Sequence, residues 1–499
     1  VKVKIRIDSR ISFNHKKLKD KACIKLLKEE FTHTNPVYVR NERIGIPNTN
    51  EPQEYFSFDL KGSRIYFSRG CLARVKKVLK MFGHSVKLID KRVDGDDVEF
   101  KSKTNLRKEQ VPAVEASLEK QQGIVRGPCS SGKSVIGLEI IAKAKKVGMV
   151  VVWNKDHQKQ WVEEAVRSDL LNLSPKDIGG VGGKFAKRKL GKLNVCMQQS
   201  LWNKEHRDFF FQHCGVLVAD EVQRYAANTF NAVINDSPAK IRIGLSANEK
   251  RKDGKEFLIY DAFGKLIHVI EDNDIGSRKK ARINLVPTKY ENDSYEFNKR
   301  TPELLNDMAR DKSRNKIIIK RTLQKTSKKK LVLILVERKF QALYLLEQLQ
   351  KENLKVKLLV GKFTKSDVDD ADDWKESWKE FASKYDDDKE FFEVKRLGTE
   401  KSIDVIVATQ KGDVGLSIKT VDHVIVTTPT GGNLERFNQQ KGRAERDYDK
   451  ELKKKFGKKP TPSVDYLWDT KIESLRKKGN NILKNFTNVS VLQKQKNGG

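Results

Sequence analysis

Long apolar runs are missing from this chain. No stretch of its 499 residues approaches the roughly 18–20 consecutive apolar positions that cross a bilayer, so no helical membrane span is expected. No signal-peptide pattern stands at its start, which points to an intracellular, cytoplasmic protein with no membrane partner. Cysteine is sparse: Cys23, Cys71, Cys129, Cys196 and Cys214 are scattered and form no C-x-x-C pair. That fits a reducing compartment and argues against structural zinc. No internal repeat of about 20–50 residues is visible. Acidic residues fall well short of basic ones, 67 against 101, for a net charge of +34. Such an excess favours a polyanionic partner, nucleic acid first, over a merely Lys-rich soluble surface. Hydrophobic residues, at 37%, are lean but sufficient for packed cores. The length suggests about three or four domains.

What is present organises around Gly127-Pro128-Cys129-Ser130-Ser131-Gly132-Lys133-Ser134, an unbroken G-x-x-x-x-G-K-[ST]. Gly123-Ile124-Val125 before it reads as a strand, and 135–146 after it as a helix ending near Gly148. Strand, Gly-bounded loop and helix N-terminus make a phosphate cradle, because free backbone N–H groups and the positive end of the helix dipole face the anion. Gly127 and Gly132 bound the loop, Lys133 reaches the β- and γ-phosphates, and Ser134 ligates Mg²⁺. ATP and Mg²⁺ are therefore the expected cofactors.

A metal-holding acid is needed beside such a loop. Gly215-Val216-Leu217-Val218-Ala219 reads as a buried parallel strand that delivers Asp220-Glu221 at its C-terminal end, the edge where α/β sheets bind ligands. Asp220 suits the metal, and Glu221 suits general-base activation of water. Further on, Gln439-Gln440-Lys441-Gly442-Arg443-Ala444-Glu445-Arg446 places Arg443 and Arg446 three apart, on one face of a helix. Two guanidinium groups of this kind supply arginine-finger charge to phosphoryl transfer. Their place in a second α/β region predicts two lobes that close on nucleotide and open after hydrolysis. The bland alternative is a salt-bridged surface helix.

The fold class expected is α/β: two parallel-sheet domains in tandem with a small N-terminal α+β domain. Residues 1–95 form the latter. Val1, Val3, Ile5 and Ile7 alternate with Lys2, Lys4 and Arg6, and a later helix carries Arg74 and Lys77 off its apolar stripe. This predicts either a duplex-DNA-binding module, with Arg74 and Lys77 on the nucleic acid, or solvated surface on a packing domain. A polar linker spans about 92–105. Gln110 follows it, and either reads an adenine edge or is a solvated helix residue. The first lobe covers 96–290 and the second 291–455. The second carries an acidic insertion at about 364–400, whose stripe Ala371, Trp374, Trp378, Phe381 and Tyr385 either packs on the lobe or binds a partner. Residues 456–499 read as a basic tail, frayed at 477–481, without assigned chemistry.

The ordered set 127–134, Asp220-Glu221-Val222-Gln223, Ser246-Ala247-Asn248 and 439–446 resembles superfamily 2 helicases over about residues 105–450, most of all the XPB-like and UvsW-like branch that includes phage branch-migration helicases. The resemblance implies two RecA-like domains and ATP-driven movement on DNA, branched or duplex, with RNA met in R-loops and recombination proteins as partners. For a phage protein the compartment is the bacterial host cytoplasm. By position it implies an adenine-contacting Gln110 with Arg107 beside it, a coupling Ser246, and Thr409 and Gly415 on the DNA backbone. It also implies Gln439 as a sensor, Gln199 and Ser200 in a backbone-contacting loop, and Gln160-Trp161 in the motif after the first helix. Three positions depart from the common pattern: Gln223 for His, Asn248 for Thr, and Ser417 for Asp. None removes the acid, base or arginines, so the departures bear on coupling and not on hydrolysis. An RNA helicase and a nucleotide-switched binding scaffold are the competing functions. A restriction motor ranks below them, since no Asp…Glu-x-Lys nuclease cluster is apparent.

Overall fold

Side-chain alternation builds the first layer. In β1 (Lys2–Ile7) Val3, Ile5 and Ile7 are buried while Lys2, Lys4 and Arg6 are exposed. The computed structural model describes every residue except 129–130, 226–232, 249–250, 252, 272–273, 275–278, 293–301, 365–366, 368–375, 410–417, 429–433, 449 and 493–499. The chain forms two units, residues 1–275 and 276–499.

In the first unit, β2 (Arg10–Asn14), β5 (Phe58–Lys61), β6 (Arg64–Ser68) and β7 (Ser85–Asp90) join β1 in the order β5-β6-β2-β1-β7, and a small ribbon, β3 (Thr32–Thr34) with β4 (Glu54–Phe56), stands apart. Helices Lys21–Glu30 and Leu72–Met81 close the apolar face, burying Ile5, Phe13, Leu27, Phe67, Val75 and Leu79. This layer is seated on the following domain by polar groups sunk in the joint. Asp261 on helix Phe257–Phe263 accepts from His33 Nε2 at 2.9 Å, from the Ser57 hydroxyl and from the Arg74 guanidinium. Arg69 donates to Gln122 Oε1 at 2.6 Å and to the Ala239 carbonyl at 2.7 Å, and Arg242 donates to the Ser9 carbonyl at 2.9 Å. At Gly70 a Cβ would come within 2.4 Å of the Tyr260 carbonyl oxygen, so the backbones approach closely only because that residue is glycine.

Two expectations change here. Arg74 pairs with Asp261 and also lies over the Phe31 ring at 4.5 Å, so it is a joint residue. Residues 92–105 are not a loose linker: Val93, Asp96, Val98 and Lys103 donate backbone bonds to Pro238, His213, Lys145 and Leu170, strapping the segment along the domain. Its polarity concealed this, since the strap is held by main-chain groups.

The central sheet of this unit contains β8 (Gln122–Arg126), β9 (Gly148–Val152), β10 (Ile178–Gly182), β11 (Phe185–Lys189), β12 (Leu193–Met197), β13 (Val216–Ala219), β14 (Ile241–Ser246) and β15 (Leu266–Val269), in the order β11-β10-β12-β9-β13-β14-β8-β15. All pairs are parallel except β10–β11. Runs such as β9 and β13 are buried throughout, as a sheet covered on both faces requires. Register aligns Ala219 with Gly244 and Gly244 with Ile124, so β13, β14 and β8 end at nearly one level. Their following loops share one edge.

The second unit is a seven-stranded parallel sheet: β16 (Arg282–Thr288), β17 (Leu331–Leu335), β18 (Val356–Leu359), β19 (Val405–Ala408), β20 (Val421–Val426), β21 (Ser463–Asp469) and β22 (Val489–Val491), ordered β18-β19-β17-β20-β21-β16-β22. Both units are thus parallel α/β sheets of RecA-like type. The expected limits of the second lobe are too narrow at each end. β16 precedes residue 291, and the supposed tail supplies β21, inserted between β20 and β16, and helix Glu473–Asn485, which includes 477–481. β21 is fixed by buried ions: Asp469 receives Arg314 Nε at 2.9 Å, and Asp465 receives Arg321 Nε at 2.5 Å and Asn284 Nδ2 at 2.7 Å. In the insertion, Trp378 and Tyr385 pack on the sheet's apolar layer and Phe381 touches Phe363, while Ala371 and Trp374 lie outside the described residues. Among the described residues no helix is long and apolar enough to cross a membrane.

Removing residues 457–499 should leave the second unit unfolded, read as loss of its cooperative transition in urea and rapid proteolysis; a truncated chain with a native transition would refute the placement of β21. Asp261→Ala should cost about 3–5 kcal/mol, the range for breaking a buried charge network, in urea denaturation of the full chain.

Candidate nucleotide site and nucleic-acid edge

The phosphate loop leaves β8 and is tied at once to the next strand, since Gly127 N donates to the Ser246 carbonyl at 3.0 Å. Helix Lys133–Ala144 starts directly after Gly132, whose φ of 77° is left-handed. A Cβ at Gly132 would stand 2.3 Å from Gln110 Nε2, so the loop is closed around a missing side chain. Gln110 is buried; its Nε2 donates to the Ser131 carbonyl at 2.9 Å and its Oε1 accepts from Arg107 N at 2.9 Å. The Arg107 guanidinium donates to the same Ser131 carbonyl. In this geometry Arg107 and Gln110 buttress the loop from behind. Ser131 Oγ is buried with no partner among the described residues, a polar atom facing the cradle's own neighbourhood. Cys129 and Ser130 lie outside the described residues. Ser134 sits in the helix's first turn, where N–H groups have no intrahelical acceptor. Loop, glycines and free amides fit a triphosphate.

β13 places Asp220 at the same edge. Trp161 Nε1 donates to Asp220 Oδ2 at 2.9 Å, and His157 Nδ1 lies 3.8 Å from that oxygen. Trp161 is buried against Gly137, where a Cβ would meet the indole at 2.6 Å. Burial, with the charge of neighbouring Glu221, pushes the Asp220 carboxyl up to about 6, against the pull of Trp161 and Lys133. Glu221 occupies left-handed backbone, φ 51°, a conformation of appreciable cost for a non-glycine residue. Burial alone would raise its carboxyl too, but Lys133, Arg224, His157 and the Gln223 amide outweigh it and hold it below the usual range. Lys133 Nζ donates to the Gly127 carbonyl at 3.1 Å and lies 3.6 Å from Glu221 Oε1. Adjacent acids whose environments drive them apart in this way suit two different tasks.

A short chain leads away from the acid. The Gln223 amide donates to Glu221, and Gln223 Oε1 accepts from Ser246 Oγ at 2.5 Å, while Asn248 N donates to Ser246 Oγ at 3.2 Å. Gln can donate and accept at once without titrating, so the His-to-Gln departure still links the acid to 246–248.

The other expected residues fall as follows. Gln199 and Ser200 follow β12 at the same sheet edge; Gln199 is exposed and bonds the Trp153 carbonyl at 3.2 Å. In the second unit Thr409 follows β19, its Oγ1 bonded to the Val360 carbonyl at 3.0 Å. Gly415 and Ser417 lie outside the described residues. Gln439 and Arg443 ride helix Leu434–Glu445, with Arg443 buried. That helix ends at Glu445, so Arg446 is the first residue beyond it and not a member of the helix; its carbonyl accepts from Lys459 Nζ at 2.5 Å. Lys77 is exposed on its helix. Trp161, expected only as part of the motif after the first helix, has a role the sequence does not show, since nothing local signals its N–H on Asp220.

Trp161→Phe keeps the ring and deletes that donor. Urea unfolding should show a loss of about 1.5–3 kcal/mol, as for a hydrogen bond to a charged group; an unchanged stability would mean the bond is not formed.

Residues 103–251 match the family described as type III restriction enzyme, res subunit, and 313–447 match the helicase conserved C-terminal domain. The DNA 3′-5′ helicase XPB of Kineococcus radiotolerans is 28% identical over 165 residues, 32% of this chain and 29% of that protein. The DNA 3′-5′ translocase XPB2 of Sulfurisphaera tokodaii is 27% identical over 169 residues, 34% of this chain and 36% of that protein. The chain thus spans about a third of the length of these relatives. Among solved structures, Saccharomyces cerevisiae Dbp5 bound to RNA and ADP BeF3 aligns with a TM-score of 0.54 at 13% identity, over 77% of this chain and 88% of that one, a likeness of fold. The two matched regions together take in more than half of the sequence, and with these relatives they make the chain a superfamily 2 helicase of the XPB-like kind in its domain pair, over that part of its length.

Proposed function

We propose that this protein is an ATP-dependent DNA translocase that remodels branched DNA, by branch migration, fork regression and unwinding of D-loops or R-loops. The observation that carries the ATPase reading is the split acid pair Asp220–Glu221 beside Lys133 at the phosphate loop. The net charge of +34 and the DNA helicase and translocase names of the XPB relatives support a DNA track. The choice of branched DNA rests on the resemblance of the motif set to the branch-migration group.

Bound MgATP would bring a γ-phosphoryl group whose developing charge the metal helps to neutralise. Gly127, Gly132 and Lys133 would cradle the phosphates, and Ser134 with Asp220 would hold Mg²⁺. Glu221, kept ionised by Lys133, takes the proton of the attacking water. Arg443, Arg446 and Gln439 match the finger and sensor motif of the resemblance, while Arg107 and Gln110 keep the loop in shape. Gln199, Ser200, Thr409 and Gly415 match the backbone-contacting motifs of the resemblance. Gln223 and Ser246 carry the state of Glu221 toward that side.

Lys133→Ala should abolish hydrolysis, and Glu221→Gln should lower kcat about 10²–10⁴-fold while nucleotide still binds. The raised Asp220 carboxyl sets a sign for pH. Above about 6 it is ionised and able to hold the cation; below it a proton competes. The Mg²⁺ concentration for half-maximal ATPase should therefore be flat above pH 6 and rise about tenfold per unit below it. ATP turnover and unwinding should be greatest with a Holliday junction, compared with a 3′-tailed duplex and single-stranded RNA. Stimulation by RNA alone would make it an RNA helicase, and no turnover with any polynucleotide would make it a scaffold.

A further inference from the structure

The N-terminal sheet has one covered face and one open face, and the open one is basic. Lys2 and Lys4 project from β1 opposite the buried Val3 and Ile5. Lys87 of β7 is in register with Lys4, and both are exposed. Across the sheet Arg64 of β6 pairs with Lys61 of β5, which is exposed at the far edge. Lys2, Lys4, Lys61 and Lys87 make no ion pair with a carboxylate among the described residues. Arg6 and Arg10 share the face but are matched by Asp8 and Asp59. The unmatched cations thus sit on a rigid layer and point one way.

From this we infer that the open face of the N-terminal sheet, and not the helix carrying Arg74 and Lys77, is a docking surface for the sugar-phosphate backbones of duplex DNA. The surface deepens the translocase reading and rests on it for the identity of the polyanion. Width argues for a duplex. β5 and β7 are the two edges of a five-stranded sheet, so Lys61 and Lys87 stand about 19 Å apart at roughly 4.8 Å per strand. A span of that size exceeds either groove of a duplex, about 6 Å or 12 Å wide, so both flanking backbones fall between the edge lysines. Along β1, Lys2 and Lys4 repeat at about 6.6 Å, about two base-pair rises along a duplex axis. Composition argues the same way. Sheets that bind single strands offer several aromatic rings for stacked bases. Among the described strands Tyr66 is the single aromatic on this face, since Phe13, Phe58 and Phe67 belong to the covered side. On the helix, Arg74 is already engaged by Asp261 in the joint.

The test is the salt dependence of binding to a blunt duplex by fluorescence anisotropy, in the full chain. Lys2→Gln/Lys4→Gln/Lys87→Gln should weaken binding about tenfold or more at low salt and make the slope of log affinity against log salt shallower by about 2–3, one contact for each charge removed. The same positions changed to Arg should restore both values. Lys76→Gln/Lys80→Gln, on the helix, should change affinity less than twofold. The melting temperature of each variant separates lost contacts from lost folding. An unaltered slope in the sheet triple variant, or a larger loss in the helix pair, would overturn the surface. A loss confined to single-stranded RNA would overturn the choice of duplex DNA. Stimulation of wild-type ATP turnover by saturating DNA, scored alongside, tests the motor reading separately: its absence would sink the translocase while the anisotropy still decides the surface.

Discussion

Two carboxylates buried side by side with one ammonium are the constraint on which the first unit turns. Desolvation works against both Asp220 and Glu221, and neither can be ionised without local compensation. Lys133 sits nearer to Glu221, Trp161 is aimed at Asp220, and the outcome is an acid held low beside an acid held high. The parallel sheet is what makes that arrangement cheap to hold. β13, β14 and β8 end at one level, so the acids, Ser246 and the phosphate loop meet without any long excursion of chain. The left-handed turn at Glu221 is the one conformational cost visible there, and it swings the second acid toward Lys133 instead of along the strand.

Around this centre, charge is handled in two contrasting ways. Inside the units, ions are matched or wrapped: Arg314 with Asp469, Arg321 with Asp465, Arg74 with Asp261, and Arg242 by carbonyls. On the open face of the N-terminal sheet, lysines are left unmatched. An excess of +34 alone is compatible with charge spread anywhere; the unmatched lysines of one face give a part of it a direction.

Legibility followed sequence distance. The phosphate loop, the Asp-Glu box and the strands at 193–197 and 331–335 are local patterns, and local patterns survive in one sequence. The hairpin of β10 and β11 escaped notice because its Gly-Gly and Lys-rich stretches carry no apolar alternation. β21 read as part of a tail because Asp465 and Asp469 look like surface acids; their partners Arg321 and Arg314 lie about 150 residues earlier. Arg74 read as a DNA contact for the same reason, its true partner standing 187 positions away. For each of these charged residues the counter-ion is remote in the chain.

The claim that the two acids differ in protonation is open to direct observation. Isotope-edited infrared titration of the full chain carrying ¹³C-carboxyl aspartate, differenced against Asp220→Asn, isolates the Asp220 band. The account predicts a protonated-carboxyl signal that grows in as pH falls through about 6. An Asp220 that stays ionised down to pH 4, in the usual aspartate range, would contradict it.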